Sequence, residues 1–243
     1  MADTKQWQVL SGSWLKVLAM LTMVIDHSTI ALLRYDSGFA MPLFAIGGKG
    51  ISGYYLMRCI GRLAFPLFAF LLVEGFMHTH NRWKYGRNLL LFALISEIPF
   101  DLMWHNSIFA SGQNVFFTLF LGFMALCVIE RTENREQRSE RYDYLLLVSL
   151  FALIAAGILI HSDYGNCGVS FIILLYALRK HPILQAAAGC CMLPMRWIAG
   201  LAFIPINLYN GKRGFIQGPI AKYSFYVFYP LHMIIIYLFS LIL

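Results

Sequence analysis

Apolar stretches long enough to cross a lipid bilayer recur along the chain, separated by short polar breaks, and this pattern constrains the fold more than any single motif. A span needs about 20 predominantly apolar residues, and several stretches approach or exceed that length. With 59% hydrophobic and 13% charged side chains in 243 residues, no single water-soluble core could hide the apolar surface. The solvent for most of this surface is lipid. The predicted fold is all-α, a polytopic integral membrane bundle forming one transmembrane domain over residues 1–243.

Breaks in hydropathy place spans at 14–33, 62–79, 88–104, 115–130, 144–161, 166–179, 184–208 and 223–243, about eight in all. The count becomes about nine or ten if Pro194, Arg196 and Pro205 split 184–208 into half-helices. Basic residues fall after alternate spans: Arg82, Lys84 and Arg87, then Arg131, Arg135, Arg138 and Arg141, then Arg179 and Lys180. The links around HNSIFASGQN and HSDYGNCG carry no Lys or Arg. Positive loops stay cytoplasmic, so the N-terminus is expected inside. It lacks the cleavage site of a secretory signal peptide, and its apolar stretch reads as the first membrane helix. Eight spans would put Lys212, Arg213 and Lys222 outside, against the rule; either 184–208 crosses twice or re-enters, or those bases have a role. Residues 37–61, rich in glycine and ending in the amphipathic ISGYYLMRCI, are expected at the outer interface.

The formal net charge of +7 does not imply nucleic acid, because the bases sit in short clusters between apolar runs. Cys59, Cys127, Cys167, Cys190 and Cys191 lie in apolar surroundings without C-x-x-C spacing, so neither a disulfide nor a metal site is expected.

Titratable groups inside membrane helices cost several kcal/mol unless they face the bundle interior or water, which makes each one a functional candidate. The first span holds Lys16, Asp26 and His27. Lys16 and His27 are eleven residues apart and share a face, roughly 16 Å from each other along the axis. Lys16 reads equally as a topology anchor snorkelling to the head groups. Asp26 and His27 diverge by about 100° around the helix, so each is expected to find its partner on another helix. Histidine exchanges a proton near neutral pH and suits the activation of a hydroxyl or amine; a structural clamp between helices is the alternative. The second span carries Arg62, with Glu74 and His78 one turn apart. In the third, Glu97 and Asp101 share a face and flank Pro99, which opens room for water or ligand, although both could serve as ion-pair partners for Arg62. Asp163 and Tyr164 precede a glycine turn, and Tyr229 and His232 in the last span are placed to meet Asp26 or His27.

The motifs LKVLAMLTMVIDH, GRLAFPLFAFLLVEGF, SDYGNCGV and FYVFYPLHMIIIYL, in this order, resemble the TraX family, from about residue 14 to the C-terminus. That family is named for a conjugation protein implicated in acetylating the N-terminus of F-type pilin. It is similar in turn to a wider group of membrane-bound acyltransferases, where a basic residue eleven positions before an intramembrane histidine recurs; Lys16 and His27 match that spacing. The resemblance implies a multi-pass protein of the bacterial inner membrane that moves an acetyl group from cytoplasmic acetyl-CoA to an amine or hydroxyl of an envelope, pilin-like or glycan acceptor. His27 would deprotonate that acceptor or take the acyl group itself, with Asp26 orienting a partner or stabilising positive charge. Lys16, where arginine is usual, would lie near the donor. Arg62, Arg82, Lys84, Arg87, Lys212 and Arg213 are candidates for the CoA phosphates. Glu74, Glu97, Asp101, Asp163, Tyr164, Tyr229 and His232 are candidates for the acceptor side. The run from Asn81 to Asp101 and the sequence LYNGKRG are specific to this branch, so pilin need not be the substrate. Two readings stay open beside it: a proton-coupled transporter using the intramembrane Asp, Glu and His, and a non-catalytic assembly factor. Partners are otherwise the lipid bilayer; a homo-oligomer is left open.

Overall fold

The computed structural model describes residues 6–33, 37–133, 140–192 and 196–242 and is mostly helical. Arg135, Arg138 and Pro194 lie outside the described residues, and only the backbone of Arg196 and Lys222 is described. In chain order the elements are α1 (Gly12–Leu33), α2 (Ser37–Ala40), β1 (Pro42–Ile46), β2 (Lys49–Ser52), α3 (Gly53–Gly61) and α4 (Ala64–His78). They continue with α5 (Arg82–His105), α6 (Val115–Glu133), α7 (Glu140–Leu159), α8 (Gly165–Ala177), α9 (Pro182–Met192), α10 (Arg196–Gly200), α11 (Phe203–Asn207) and α12 (Gly218–Ser240).

Among the described residues five helical stretches are long and apolar enough to cross a membrane: Gly12–Leu33, Gly53–His78, Val115–Glu133, Glu140–Leu159 and Tyr223–Ser240. Large apolar side chains such as Leu94, Phe151, Leu159 and Ile183 stand exposed, the surface of helices bathed in lipid. These are features of a multi-pass membrane protein. The difference from the expected eight lies in three places. α5 has the length, 24 residues, but carries Arg82, Lys84, Arg87, Glu97 and Asp101. The sixth expected span is only the 13-residue α8. Within 184–208 the described residues include α9, α10 and α11, of 11, 5 and 5 residues, each short of the roughly 20 that a crossing needs.

Residues 37–61 depart from the all-α expectation. Gly47 and Gly48, at φ 56° and 78°, form the two-residue turn of an antiparallel hairpin, since that turn needs positive φ at both positions. Ser52 ends β2 and starts α3 as its N-cap, accepting the Tyr55 N–H at 3.1 Å. α3 has two unlike faces: Tyr55, Leu56, Cys59 and Ile60 line an apolar hollow with Ile198 and Leu201, while Arg58 points to α1.

The chain divides into two compact units, one of Met1–Phe68, Pro99–Ile108 and Pro194–Leu243, the other of Ala69–Ile98 and Phe109–Leu193. In the first, the loop before α12 clasps the start of α1. The Gly12 and Ser13 N–H groups, which have no partner inside the helix, donate to the carbonyls of Lys212 and Arg213 at 2.8 and 2.9 Å. The Ser13 hydroxyl accepts the Ile216 N–H at 2.9 Å. Gly214, at φ 87°, passes so near that a Cβ would overlap the Ser11 and Ser13 hydroxyls. Lys212 and Arg213 therefore lie at the same end as the first turn of α1, and α1 and α12 leave that end side by side. The sequence left the side of these bases open, and in the structure they lie beside the first turn of α1.

In the second unit α6 packs on α8 so closely that a Cβ at Gly122 would meet Ile172. Phe76 meets both Phe123 and Tyr176 edge to face in its core. Arg82 closes the end of α4: its Nη1 donates to the Phe76 and Thr79 carbonyls, and its Nε and Nη2 to Glu130 at 3.1 and 2.7 Å.

Candidate active site

His27 lies fifteen residues into α1 and His232 fourteen into α12. Two helices leaving one end in parallel carry these histidines to the same depth, about 22 Å at 1.5 Å per residue. There they meet. His27 Nδ1 is 2.7 Å from His232 Nε2, with 11° between the ring planes and 4.9 Å between centroids. A centroid separation that exceeds the N···N distance by about two ring radii is the geometry of an in-plane hydrogen bond rather than face-to-face stacking. Pro230 interrupts the backbone ladder of α12 just before His232, and His232 Nδ1 turns back to the Phe228 carbonyl at 2.8 Å.

These two bonds assign the tautomers. A carbonyl only accepts, so His232 Nδ1 carries the hydrogen; its Nε2 then accepts, and His27 Nδ1 donates. The end of the chain is the His27 Nε2 lone pair. Both rings are buried, with 8% and 5% of their residues' surface exposed. Tyr229 stands 6.2 Å from the His27 ring, and Trp104 of α5 6.3 Å away at 77°, both edge-on.

Asp26 faces elsewhere, as the 100° step along a helix requires. Its carboxylate lies 2.7 Å from Arg58 Nη1, each side chain 13% exposed. Arg62 is near enough to act on the Asp26 charge, and Arg58 on His27. The approach of α3 to α1 depends on Gly61, where a Cβ would overlap the Asp26 carboxylate. Arg58 was not among the residues singled out from the sequence, although an arginine inside the otherwise apolar YYLMRCI was the available signal. Trp104 gave no signal, since one aromatic residue among many in a membrane helix is unremarkable until its neighbours are known.

The remaining candidates fall into groups. Lys16 holds its ammonium 5.1 Å over the Phe225 ring, near the end where Lys212 and Arg213 sit. Asp101 is buried on α5, three residues before Trp104. The second unit holds the others. His78 Nδ1 bonds the Glu74 carbonyl at 2.9 Å, with the Glu74 carboxylate 4.0 Å away. The Arg82 fork is engaged by Glu130, which raises the arginine's affinity for its proton further, while Lys84 and Arg87 are exposed. Glu97 accepts from the Asn114 backbone N–H at 3.3 Å and from its side-chain amide. The Asp163 N–H donates to Gln113 at 2.8 Å, its carbonyl accepts from Thr118, and its carboxylate accepts the Tyr164 N–H at 3.1 Å. Tyr164 adopts a left-handed φ of 64° where α8 begins. Among the described residues no group of three or more His, Cys, Asp or Glu is placed to hold a metal.

The arrangement around His27 suits proton transfer: one open basic nitrogen, a second imidazole to share the positive charge, and apolar walls. Comparison with known proteins adds two findings. A family model described as TraX protein matches residues 11–240. A protein of Dichelobacter nodosus named probable fimbrial assembly protein FimC, serogroup H1, is 32% identical over 253 aligned positions, covering 92% of this chain and 93% of its own. No solved structure matches.

Proposed function

Since the chain belongs to the TraX family, a family associated with pilin acetylation, we propose that it is a membrane-embedded acetyltransferase using acetyl-CoA, with His27 as the base. The observation that carries this reading is the directed pair of hydrogen bonds from His27 through His232 to the Phe228 carbonyl, which leaves His27 Nε2 open. In the proposed reaction the acceptor's N–H or O–H gives its proton to His27 Nε2 as its heteroatom attacks the thioester carbonyl. The C–S bond then breaks, and the proton passes from His27 to the departing CoA sulfur. His232 Nε2 stabilises the imidazolium by accepting from its Nδ1–H, the part an orienting acceptor plays behind any histidine base.

The basic groups at the start of α1, Lys16 with Lys212 and Arg213, would receive the phosphates of the donor, a role their common end of the helix supports. The roughly 16 Å from Lys16 to His27 is a distance that the pantetheine arm is long enough to bridge. With the N-terminus cytoplasmic, the donor enters from the cytoplasm and the acceptor is met in the outer half of the membrane. The relative's name places that protein in fimbrial assembly, which makes a pilin-like or other envelope acceptor the first class to test.

The test uses purified full-length chain in nanodiscs, [1-14C]acetyl-CoA, and envelope membranes from cells lacking the protein. Label should move to the envelope fraction with wild type and not with His27→Ala. If wild type neither transfers label nor binds CoA, the reading is wrong. The relative's name also suits a non-catalytic assembly factor, for which His27→Ala would leave assembly of surface fibres unchanged.

A further inference from the structure

Trp104 stands beside His27 with an unused donor. Its Nε1–H is buried and has no hydrogen-bond acceptor among the described residues. A buried donor left without a partner costs about 1–3 kcal/mol, so its presence calls for a physical account. The ring is firmly held, with Phe100 6.0 Å away one turn earlier on α5 and the His27 imidazole 6.3 Å away. Two complementary valences are thus open on neighbouring rings: a lone pair at His27 Nε2 and an N–H at Trp104. Their rings are separated by a distance that one acyl group can span.

We propose that the Trp104 indole N–H binds the carbonyl oxygen of the acyl group and stabilises the negative charge that develops there in the tetrahedral intermediate. This rests on the acyl-transfer reading of the same site. As the acceptor's heteroatom bonds to the carbonyl carbon, the C=O π pair moves to oxygen and the Trp104 hydrogen bond strengthens. When the pair returns, the C–S bond breaks and sulfur leaves with the proton held by His27. A neutral indole suits this place because it donates its N–H without ionising. In a water-excluded site a fixed donor needs no reorganisation as charge appears.

Trp104→Phe keeps the ring and deletes the donor. In the nanodisc assay it should lower kcat about 10²- to 10³-fold. The KM for acetyl-CoA should stay within about threefold, because the donor acts mainly on the transition state. A second readout is S-(3,3,3-trifluoro-2-oxopropyl)-CoA, whose hydrated ketone imitates the tetrahedral centre. The variant should bind it more weakly by the same factor as kcat, while binding S-ethyl-CoA as wild type does. A third uses the wild-type site with Trp7, Trp14, Trp83 and Trp197 replaced by Phe, leaving one indole of the five. Its 15N–H resonance should move downfield on binding the ketone and not on binding S-ethyl-CoA. This arm decides the matter if Trp104→Phe does not fold. A Trp104→Phe enzyme with wild-type kcat, or an indole resonance that ignores the ketone, overturns the proposal. If His27→Ala still abolishes transfer in that case, the acyl-transfer reading stands without it. A wild-type chain that moves no acetyl group defeats the parent reading instead.

Discussion

Arg82 and His27 are both polar side chains held by short runs of hydrogen bonds, and the two runs end differently. Arg82 lies flat on the Phe76 ring at 4.1 Å, with donors on the Phe76 and Thr79 carbonyls and on both Glu130 oxygens. That knot closes the last turn of α4 and docks α6, with four of the guanidinium's five N–H groups bonded within the protein. The run from the Phe228 carbonyl through His232 to His27 stops at an open nitrogen with an unpartnered indole beside it. A closed knot lowers the energy of the fold, whereas an open one is tolerated at a cost and marks where a substrate completes the set. Asp26 and Arg58, next to the open run, pair their charges at 2.7 Å and side with the closed kind by charge rather than by hydrogen bonding.

The largest effect should come from the open end. His27→Ala is expected to lower kcat for acetyl transfer about 10²- to 10⁴-fold, the range for loss of a positioned general base, with a stability loss of about 1–3 kcal/mol from the His232 Nε2 it leaves unpaired. A variant that loses stability but keeps its rate would place His27 with Arg82 instead. Next comes Asp26→Asn, which strands the Arg58 charge in a largely buried setting. The expected loss is about 3–5 kcal/mol of stability, most of it regained in the double variant Asp26→Asn with Arg58→Met, since the nearest charge to Asp26 goes with it and only the weaker influence on Arg62 is lost. Chemical denaturation in micelles measures this. Lost transfer at full stability would move Asp26 into the reacting group and blur the division between the two kinds of network.

Arg82→Lys tests the closed knot from the other side. Lysine keeps the charge but cannot fork onto Glu130 while bonding two carbonyls, so stability should fall by about 1–2 kcal/mol. The transfer rate, measured on the folded fraction, should stay within about twofold. A raised KM for acetyl-CoA with unchanged stability would show that Arg82 touches the donor after all.

What could be read without coordinates follows the same division. The expense of burying Asp26 and His27 in an apolar run was legible, and so was the need for each to seek a different helix, because both follow from local sequence and helical periodicity. His232 could be named because it sits beside a proline in an apolar span. Arg58 could not, because its role depends on how α3 lies along α1, and that depends on Gly61 allowing contact. The hairpin had a local signal, the Gly47-Gly48 pair, outweighed by the helical character of everything around it. The side of Lys212 and Arg213 was ambiguous while 184–208 was counted as one span. Their place beside the first turn of α1 rests on hydrogen bonds between residues about 200 positions apart in sequence, which no local pattern encodes.

The smallest expected effect probes how the pair at Asp26 is positioned. Ser52 caps α3 through one bond to the Tyr55 N–H, and Arg58 follows it by less than two turns. Ser52→Ala should cost about 1 kcal/mol, the usual value of such a cap. If α3 is held mainly by Gly61 against α1 and by the Arg58–Asp26 bond, fraying its first turn leaves Arg58 in place. The Asp26→Asn penalty should then be the same in the Ser52→Ala background, the two effects adding within about 0.5 kcal/mol. A clear departure from additivity would mean that the hairpin, through its cap, sets the position of Arg58. The ion pair would then be a joint between the interfacial segment and the wall of the histidine pocket, rather than a bond between two helices alone.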